Sequence, residues 1–180
     1  MGGPGGARLA STYAGRLLEG RYCALHAAAV LRRQGGQVID VDAGNVPGDG
    51  AYAQGPRVQV CGHSVPLPDL VVLHNGRLFF LEVKRRRIRM QGNEGLVGLK
   101  EGQLANYRRL HLWGAVPVYI LVFGFGGTPY DGAWLARVVA LGEPVLTTDN
   151  GGGELRHFSL AAGWLNVTAT FGPGPQVSLQ

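Results

Sequence analysis

The fold and the chemistry of this chain are both indicated by residues 68–84, which read PDLVVLHNGRLFFLEVK. Leu70 to His74 and Arg77 to Lys84 are rich in β-branched, aromatic and leucine residues, and Asn75-Gly76 separates them. Asn-Gly between two apolar runs is the strongest short-range signal of a β-hairpin, because both turn residues must take positive φ. The segment therefore predicts a two-stranded hairpin that turns at residues 75 and 76.

Three charged residues meet at one end of this apolar hairpin. Glu82 and Lys84 lie two positions apart, so on a strand they point to the same face while Val83 points to the other. Asp69 lies at a similar distance from the turn, so the hairpin brings it back beside them. Two convergent carboxylates suit Mg²⁺, which prefers oxygen ligands and keeps several of its waters. The alternative is an exposed Glu82–Lys84 ion pair, with Asp69 as a turn residue after Pro68.

Further helices and strands are predicted on both sides of the hairpin. In chain order they are a helix over Tyr13 to Gln34, strands over Val38 to Val41 and Arg57 to Cys61, a helix over Leu99 to Trp113, a buried strand over Val116 to Phe123, and weaker strands over Trp134 to Leu141 and Val145 to Thr148. Gly62 to Pro68 and the glycine-containing Gln91 to Gly98 are predicted as loops. This order predicts an α/β protein with a central mixed β-sheet flanked by helices.

Apolar periodicity also predicts which face of each helix is buried. The apolar residues that recur at helical spacing in the first helix are Leu17, Leu18, Tyr22, Leu25, Ala29 and Val30. The inward face of the second helix is predicted to hold Leu104, Tyr107, Leu110 and Leu112.

Composition limits the class of protein. The chain has 180 residues, 46% hydrophobic and 16% charged, which is typical of one globular domain rather than a disordered chain. No run of 18 apolar residues predicts a membrane span. Met1 to Gly6 lacks the pattern of a secretory signal, so we expect an intracellular protein, cytoplasmic or nucleoid-associated, with a phage-encoded origin left open. The two cysteines, Cys23 and Cys61, do not make a disulfide framework.

The charge of the chain is compatible with a polyanionic partner. The net charge is +5 and the pI about 9.6. Four arginines, Arg85, Arg86, Arg87 and Arg89, follow Lys84 almost without interruption. In isolation, such a run is more often a solvated face than a binding site.

Pro68-Asp69, twelve further residues and then Glu82-Val83-Lys84 resemble the signature of the PD-(D/E)XK nuclease superfamily. Its members carry this motif on a hairpin that follows a helix bearing a Glu and precedes a helix and a buried strand. The chain is most similar to archaeal-type Holliday junction resolvases, with VRR-type nuclease domains as the second choice, over Gly15 to Phe123. The resemblance implies a restriction-endonuclease-like sheet, with a flexible tail at 1–12, a nuclease core at 13–126 and an extension of the same domain at 127–180.

The resemblance also implies roles for individual residues. The implied catalytic residues are Asp69, Glu82, Lys84, Glu19 and Gln103, of which Asp69, Glu82 and Glu19 would bind Mg²⁺, with Mn²⁺ able to substitute. Glu19 is carried over from the segment Gly15-Arg16-Leu17-Leu18-Glu19, and Gln103 from the helix that precedes Gly114 to Tyr119. The alternatives are an ordinary exposed helical Glu19 and a surface amide at Gln103.

The implied activity is an endonuclease that resolves four-way DNA junctions by paired nicks. Two symmetric nicks need two active sites, so a homodimer is expected. The implied DNA contacts are Arg85, Arg86, Arg87 and Arg89, with Ser64 as a loop residue near the phosphate. The chain departs from the resolvases in its long interval from Asp42 to Pro68. Another structure-specific, restriction-like or VRR-type nuclease and a catalytically silent DNA-binding module stay open as alternatives.

Overall fold

The computed structural model describes residues 13–42, 55–149 and 153–175. The predicted tail at 1–12 lies outside these ranges. The described elements in chain order are α1 (Tyr13–Arg33), β1 (Gln37–Asp40), β2 (Arg57–Val60), β3 (His63–Pro66), β4 (Leu70–His74), β5 (Arg77–Arg87), β6 (Arg89–Gln91), β7 (Glu94–Lys100), α2 (Glu101–Gly114), β8 (Val118–Phe125), β9 (Gly132–Arg137), a 3-10 turn (Val138–Ala140), β10 (Leu146–Asp149), β11 (Glu154–Ser159), β12 (Leu165–Asn166) and α3 (Thr168–Phe171).

A mixed sheet forms the centre of the molecule. Its six strands run in the order β1-β4-β5-β8-β9-β12, and the central pair β5–β8 is parallel while the other pairs are antiparallel. A second sheet of four strands has the order β10-β11-β7-β6, and β2 pairs with β3. Helix α1 packs on one face of the main sheet, while α2 packs near β7, β8 and β11. The predicted class, a mixed α/β fold with a central mixed sheet flanked by helices, is confirmed.

The β4–β5 hairpin has the predicted two-residue turn. Asn75 and Gly76 both take positive φ, 50° and 71°, which is the conformation of a type I′ turn. Leu70 pairs with Leu81. Because this register is set next to a tight turn, every side chain of both strands has a determined face.

The core under α1 is built on a different helix face from the predicted one. Its helical residues are small or short: Cys23, Ala24, Ala27, Ala28, Val30 and Leu31. Tyr22, Leu25 and Ala29 are exposed, so the prediction that places them on the buried face is wrong. Small side chains bring the helix close to a sheet whose own leucines and valines fill the interface, and this explains why the larger residues point outward.

The second core lies under α2 and joins the two sheets. Leu104, Tyr107 and Leu110 are buried there as predicted, but Leu112 is 70% exposed, contrary to prediction. Leu112 lies two positions after Leu110, about 200° around a helix of 3.6 residues per turn, so it points to the opposite face.

Both predicted loops are strands. Gly62 to Pro68 contains β3, which pairs with β2 across the positive-φ turn Cys61-Gly62. Gln91 to Gly98 contains the end of β6 and most of β7. Gly95 of β7 is required for packing, since a Cβ there would lie 2.5 Å from the ring of Tyr130. Gly95 and Gly98 therefore mark close packing inside a strand, whereas Gly92, with a φ of 58°, lies in the turn between β6 and β7.

The last third of the chain contributes to the same core as α2. Val138, Leu141, Phe158 and Leu160 belong to the buried cluster that contains Leu104. Among the described helices, none is long and apolar enough to cross a membrane.

A matched pair of leucine substitutions tests this shared core. Leu160 is 1% exposed and Leu112 is 70% exposed. We expect Leu160→Ala to lower the free energy of unfolding by about 2–5 kcal/mol, and Leu112→Ala to change it by less than about 0.5 kcal/mol. Urea unfolding followed by circular dichroism measures both. Equal, small effects would show that residues 127–180 do not stabilise the core.

Candidate active site

Asp69 and Glu82 face each other across the β4–β5 hairpin. Leu70 pairs with Leu81, and Asp69 and Glu82 occupy the next position toward the open end. The Asp69 carboxylate accepts a hydrogen bond from the backbone N–H of Val83 at 2.7 Å. Its carbonyl oxygen accepts another from the N–H of Val41 at 2.9 Å. The aspartate is thus held between β1 and β5, opposite a glutamate that is only 3% exposed.

Lys84 completes the predicted trio. It lies two residues after Glu82 on β5, so both side chains emerge on the same face. The Lys84 ammonium forms an ion pair with Glu82, and both side chains are largely buried. The structure therefore brings Asp69, Glu82 and Lys84 together, as the sequence predicts.

Two further residues join this cluster, and the sequence interpretation gave them other roles. Tyr107 of α2 is buried and interacts electrostatically with Glu82, which raises the pKa of the tyrosine. Arg86, the next residue of β5 on the face of Glu82 and Lys84, interacts electrostatically with Glu82 and Tyr107. Tyr107 was predicted only as core, although a buried tyrosine hydroxyl usually needs a partner. Alternation along β5 could have placed Arg86 on this face.

The protonation equilibria of the cluster reflect its burial. Burial, and then the charge of Glu82, raise the pKa of Asp69 to about 7, although Lys84 and the N–H of Val83 oppose this. Burial would lower the pKa of Lys84, but Glu82 and Asp69 raise it above its ordinary value. Burial and Glu82 also raise the pKa of Tyr107. At neutral pH the cluster thus holds a protonated lysine and an aspartate whose ionisation is costly.

Glu19 lies on α1 and is not grouped with the two other carboxylates. Its carboxylate accepts a hydrogen bond from Arg85 at 2.6 Å, and the Arg85 guanidinium lies 4.3 Å from the centre of the Phe125 ring. Alternation along β5 points Arg85 toward α1, away from the face of Glu82. In the described ranges, no group of three or more His, Cys, Asp or Glu side chains could hold a metal ion.

The remaining residues predicted for the site are Gln103, Ser64, Arg87 and Arg89, and they lie on α2, β3, β5 and β6. Gln103 is half-buried on α2, one helical turn before Tyr107. Ser64 is exposed on β3, where its hydroxyl accepts a hydrogen bond from Arg57 at 2.8 Å. Ser64 therefore belongs to a paired strand, which corrects its prediction as a loop residue. Arg87 and Arg89 are exposed.

The donor set fits a divalent metal of the magnesium type. Asp69 and Glu82 supply oxygen atoms, and Mg²⁺ is commonly bound by one or two carboxylates with water in its other positions. The raised pKa of Asp69 arises partly from repulsion by Glu82. A cation between two such groups would relieve that repulsion.

No family model and no curated protein matches this chain. Among solved structures it is similar to Hjc, a Holliday junction resolvase from the archaeal hyperthermophile Archaeoglobus fulgidus, with a TM-score of 0.48 and 15% sequence identity over 87% of this chain and 98% of that chain. At this distance the similarity assigns no family to the chain.

The raised pKa of Asp69 predicts an unusual effect of its removal. The folded protein binds this proton more tightly than the unfolded chain, so Asp69 lowers stability as pH rises from about 4 to 7. We expect Asp69→Asn to raise Tm at pH 8, by roughly 2–4 °C for each kcal/mol that it adds to the free energy of unfolding. The difference in Tm between this variant and the wild type should vanish near pH 4. Differential scanning calorimetry from pH 4 to pH 8 in chelator measures it.

Asp131 provides a control of opposite sign. Although burial acts against it, hydrogen bonds from the backbone of Gly127, Thr128 and Gly126 lower the pKa of Asp131. Its ionised form therefore stabilises the fold above about pH 4, and Asp131→Asn should lower Tm at pH 8. A lower Tm for Asp69→Asn at pH 8 would contradict the account of the site.

Proposed function

We propose that this chain is a Mg²⁺-dependent endonuclease that hydrolyses DNA phosphodiester bonds, with Mn²⁺ able to substitute. The observation that carries the proposal is the pair of facing carboxylates, Asp69 and Glu82, with Lys84 ion-paired on the same strand face. A largely buried cluster of this kind costs stability relative to apolar residues of similar volume, which favours a functional use of its charges.

Each residue of the trio has a distinct proposed role. Asp69 and Glu82 would hold the metal ion, which when bound lowers the pKa of a water and offsets negative charge on the phosphate. Lys84 stays protonated at neutral pH, because its two carboxylate neighbours raise its pKa. A protonated lysine is a hydrogen-bond donor and a positive charge, so we assign it to the phosphate oxygens in the transition state rather than to proton abstraction from water.

Glu19 and Gln103 have supporting roles in this proposal. For Glu19 to serve as a third metal ligand, its carboxylate must leave the ion pair with Arg85. Gln103 lies on α2 one turn before Tyr107, which interacts with Glu82. Its amide is therefore proposed to orient water or phosphate beside the site.

The proposed substrate is branched DNA, resolved at four-way junctions by paired nicks from an intracellular homodimer. The sequence offers no base-reading module, and a net charge of +5 favours contacts with the phosphate backbone. Symmetric nicking requires two sites in one assembly.

A cleavage panel tests this proposal. The substrates are four-way junctions, flaps, single strands and linear duplex, each with Mg²⁺, Mn²⁺ or chelator. Paired symmetric nicks confined to four-way junctions select the resolvase activity, with sedimentation expected to give a dimer. Cleavage of other substrates selects a different nuclease of this type. Binding without cleavage of any substrate in either metal would leave only a DNA-binding module.

Substitutions within the trio should separate chemistry from binding. We expect Asp69→Asn and Glu82→Gln to abolish cleavage, and Lys84→Ala to slow it by roughly 10²-fold or more, because each removes a ligand or a charge at the reacting phosphate. DNA affinity in chelator should change little. Single-turnover cleavage and fluorescence anisotropy measure the two effects.

Two matched controls are available in the chain. Glu143 is exposed, and Lys100 is an exposed lysine at the end of β7. Glu143→Gln and Lys100→Ala should cut at the wild-type rate. Normal cleavage by Glu82→Gln would show that the active site lies elsewhere.

A further inference from the structure

We propose that a DNA-binding surface at the end of the catalytic strand consists of Arg87, Arg89 and the β6–β7 hairpin, and not of the whole arginine run. Arg85 and Arg86 point inward and act as positioning residues for acidic side chains. This inference rests on the proposed function and specifies which part of the chain meets the substrate.

Alternation along β5 separates the first two arginines. Arg85 points toward α1, where it is ion-paired with Glu19 at 2.6 Å and lies over the ring of Phe125. Arg86 points to the opposite face, toward Glu82 and Tyr107. Its Nε atom is buried and has no hydrogen-bond partner among the described residues. Both arginines are thus half-buried and lie against acidic side chains, in contrast to the exposed arginines that follow.

Arg87 and Arg89 differ from these two in exposure. Both are exposed, and neither forms an ion pair within the part of the chain that the structure describes. Arg87 ends β5 on the side of Arg85, and Arg89 begins β6 of the second sheet. The intervening Ile88 is buried and donates its N–H to the carbonyl of Phe125 at 2.9 Å. Ile88 therefore fixes the strand between two outward-pointing guanidinium groups.

The hairpin that follows extends this surface. Residues 89–94 are all exposed, and β6 is an edge strand of the second sheet. Gln91 and Asn93 add amide groups next to Arg89, and Glu94 is the one acid in these six positions. A surface of guanidinium and amide donors suits phosphate oxygens, which accept hydrogen bonds from these side chains in DNA complexes.

The hairpin is held in place before any ligand binds. The Tyr130 hydroxyl donates a hydrogen bond to the carbonyl of Asn93 at 2.7 Å. The Tyr130 ring also packs so closely on Gly95 that a Cβ there would lie 2.5 Å away. A surface fixed in this way loses little conformational entropy when it binds.

Strand geometry limits how far this surface reaches from the site. Arg89 lies five positions after Lys84, which at about 3.3 Å per residue is a backbone span of roughly 16 Å. B-DNA rises about 3.4 Å per base pair along its axis, so this span corresponds to about five base pairs. The DNA contacts are therefore expected on one side of the cut.

The salt dependence of DNA binding tests which arginines of the run, Arg85 to Arg89, contact DNA. Affinity of the full chain for a four-way junction is measured in chelator between 50 and 200 mM salt, for Arg86→Ala, Arg87→Ala and Arg89→Ala. Arg87→Ala and Arg89→Ala should each lower the slope of log affinity against log salt by about 1. Arg86→Ala should leave the slope unchanged. Arg137→Ala, an exposed arginine of β9, is the control and should also leave it unchanged.

Single-turnover cleavage, measured up to saturating DNA, gives the second readout. Arg87→Ala and Arg89→Ala should raise the DNA concentration that gives half-maximal cleavage, whereas the control Arg137→Ala should cut like the wild type at every concentration. Arg86→Ala should slow cleavage, and Arg86→Lys, which keeps the charge beside Glu82, should recover part of the rate. Arg86→Met, which keeps the length of the side chain, replaces the alanine variant if that variant does not fold.

DNA with single neutral methylphosphonates locates the contact. Neutral positions within about five base pairs on one side of the cut should weaken binding by the wild type. The position that contacts Arg89 should cause no further loss in Arg89→Ala.

The outcomes separate this inference from the proposed function. If Arg86→Ala lowers the salt slope, or if Arg87→Ala and Arg89→Ala bind like wild type, the division of the run is wrong. A chain that binds DNA with the expected slopes but cuts no substrate contradicts the nuclease proposal and leaves the division intact. A chain that binds no DNA contradicts both.

Discussion

The register of the β4–β5 hairpin is the constraint on which the candidate site depends. A two-residue turn at Asn75-Gly76 sets Leu70 opposite Leu81, and this places Asp69 opposite Glu82 at the open end. A slip of one residue would turn every side chain of the strand to the other face. Buried leucines and valines on the α1 side oppose such a slip, because it would expose them. Hydrophobic burial on one face thereby fixes charged groups on the other.

The charged face is stabilised by mutual neutralisation rather than by solvent. Glu82 is 3% exposed. It forms an ion pair with Lys84 and interacts electrostatically with Tyr107 and Arg86. Removing one partner from such a group commonly costs about 3–5 kcal/mol, because a buried charge is left uncompensated. Apolar residues of similar volume would stabilise the same strand end without the cost of burying charges. The presence of Asp69, Glu82 and Lys84 at this strand end is the observation on which the proposed chemical role rests.

Short-range signals in the sequence predicted the fold better than they predicted packing. The hairpin, α2 and β8 depend on turn chemistry and periodicity, which local sequence displays. Apolar periodicity does not reveal the buried face of α1, because the residues that contact the sheet are small while larger apolar residues such as Tyr22 and Leu25 are exposed. Strand β7 was missed because Gly95 is needed for the Tyr130 ring, a contact across 35 positions that no local pattern shows. The pairing of Glu19 with Arg85 joins residues 66 positions apart and was equally invisible.

The central claim is that Asp69 and Glu82 together hold a divalent cation, and a crystal structure with Mn²⁺ tests it most directly. Anomalous scattering locates manganese independently of the protein atoms. We expect one strong anomalous peak within about 2.0–2.3 Å of a carboxylate oxygen of both residues, a bonding distance for a hard divalent ion. The same peak should be lost in Glu82→Gln. Manganese bound only elsewhere on the molecule, at millimolar concentration, would contradict the account.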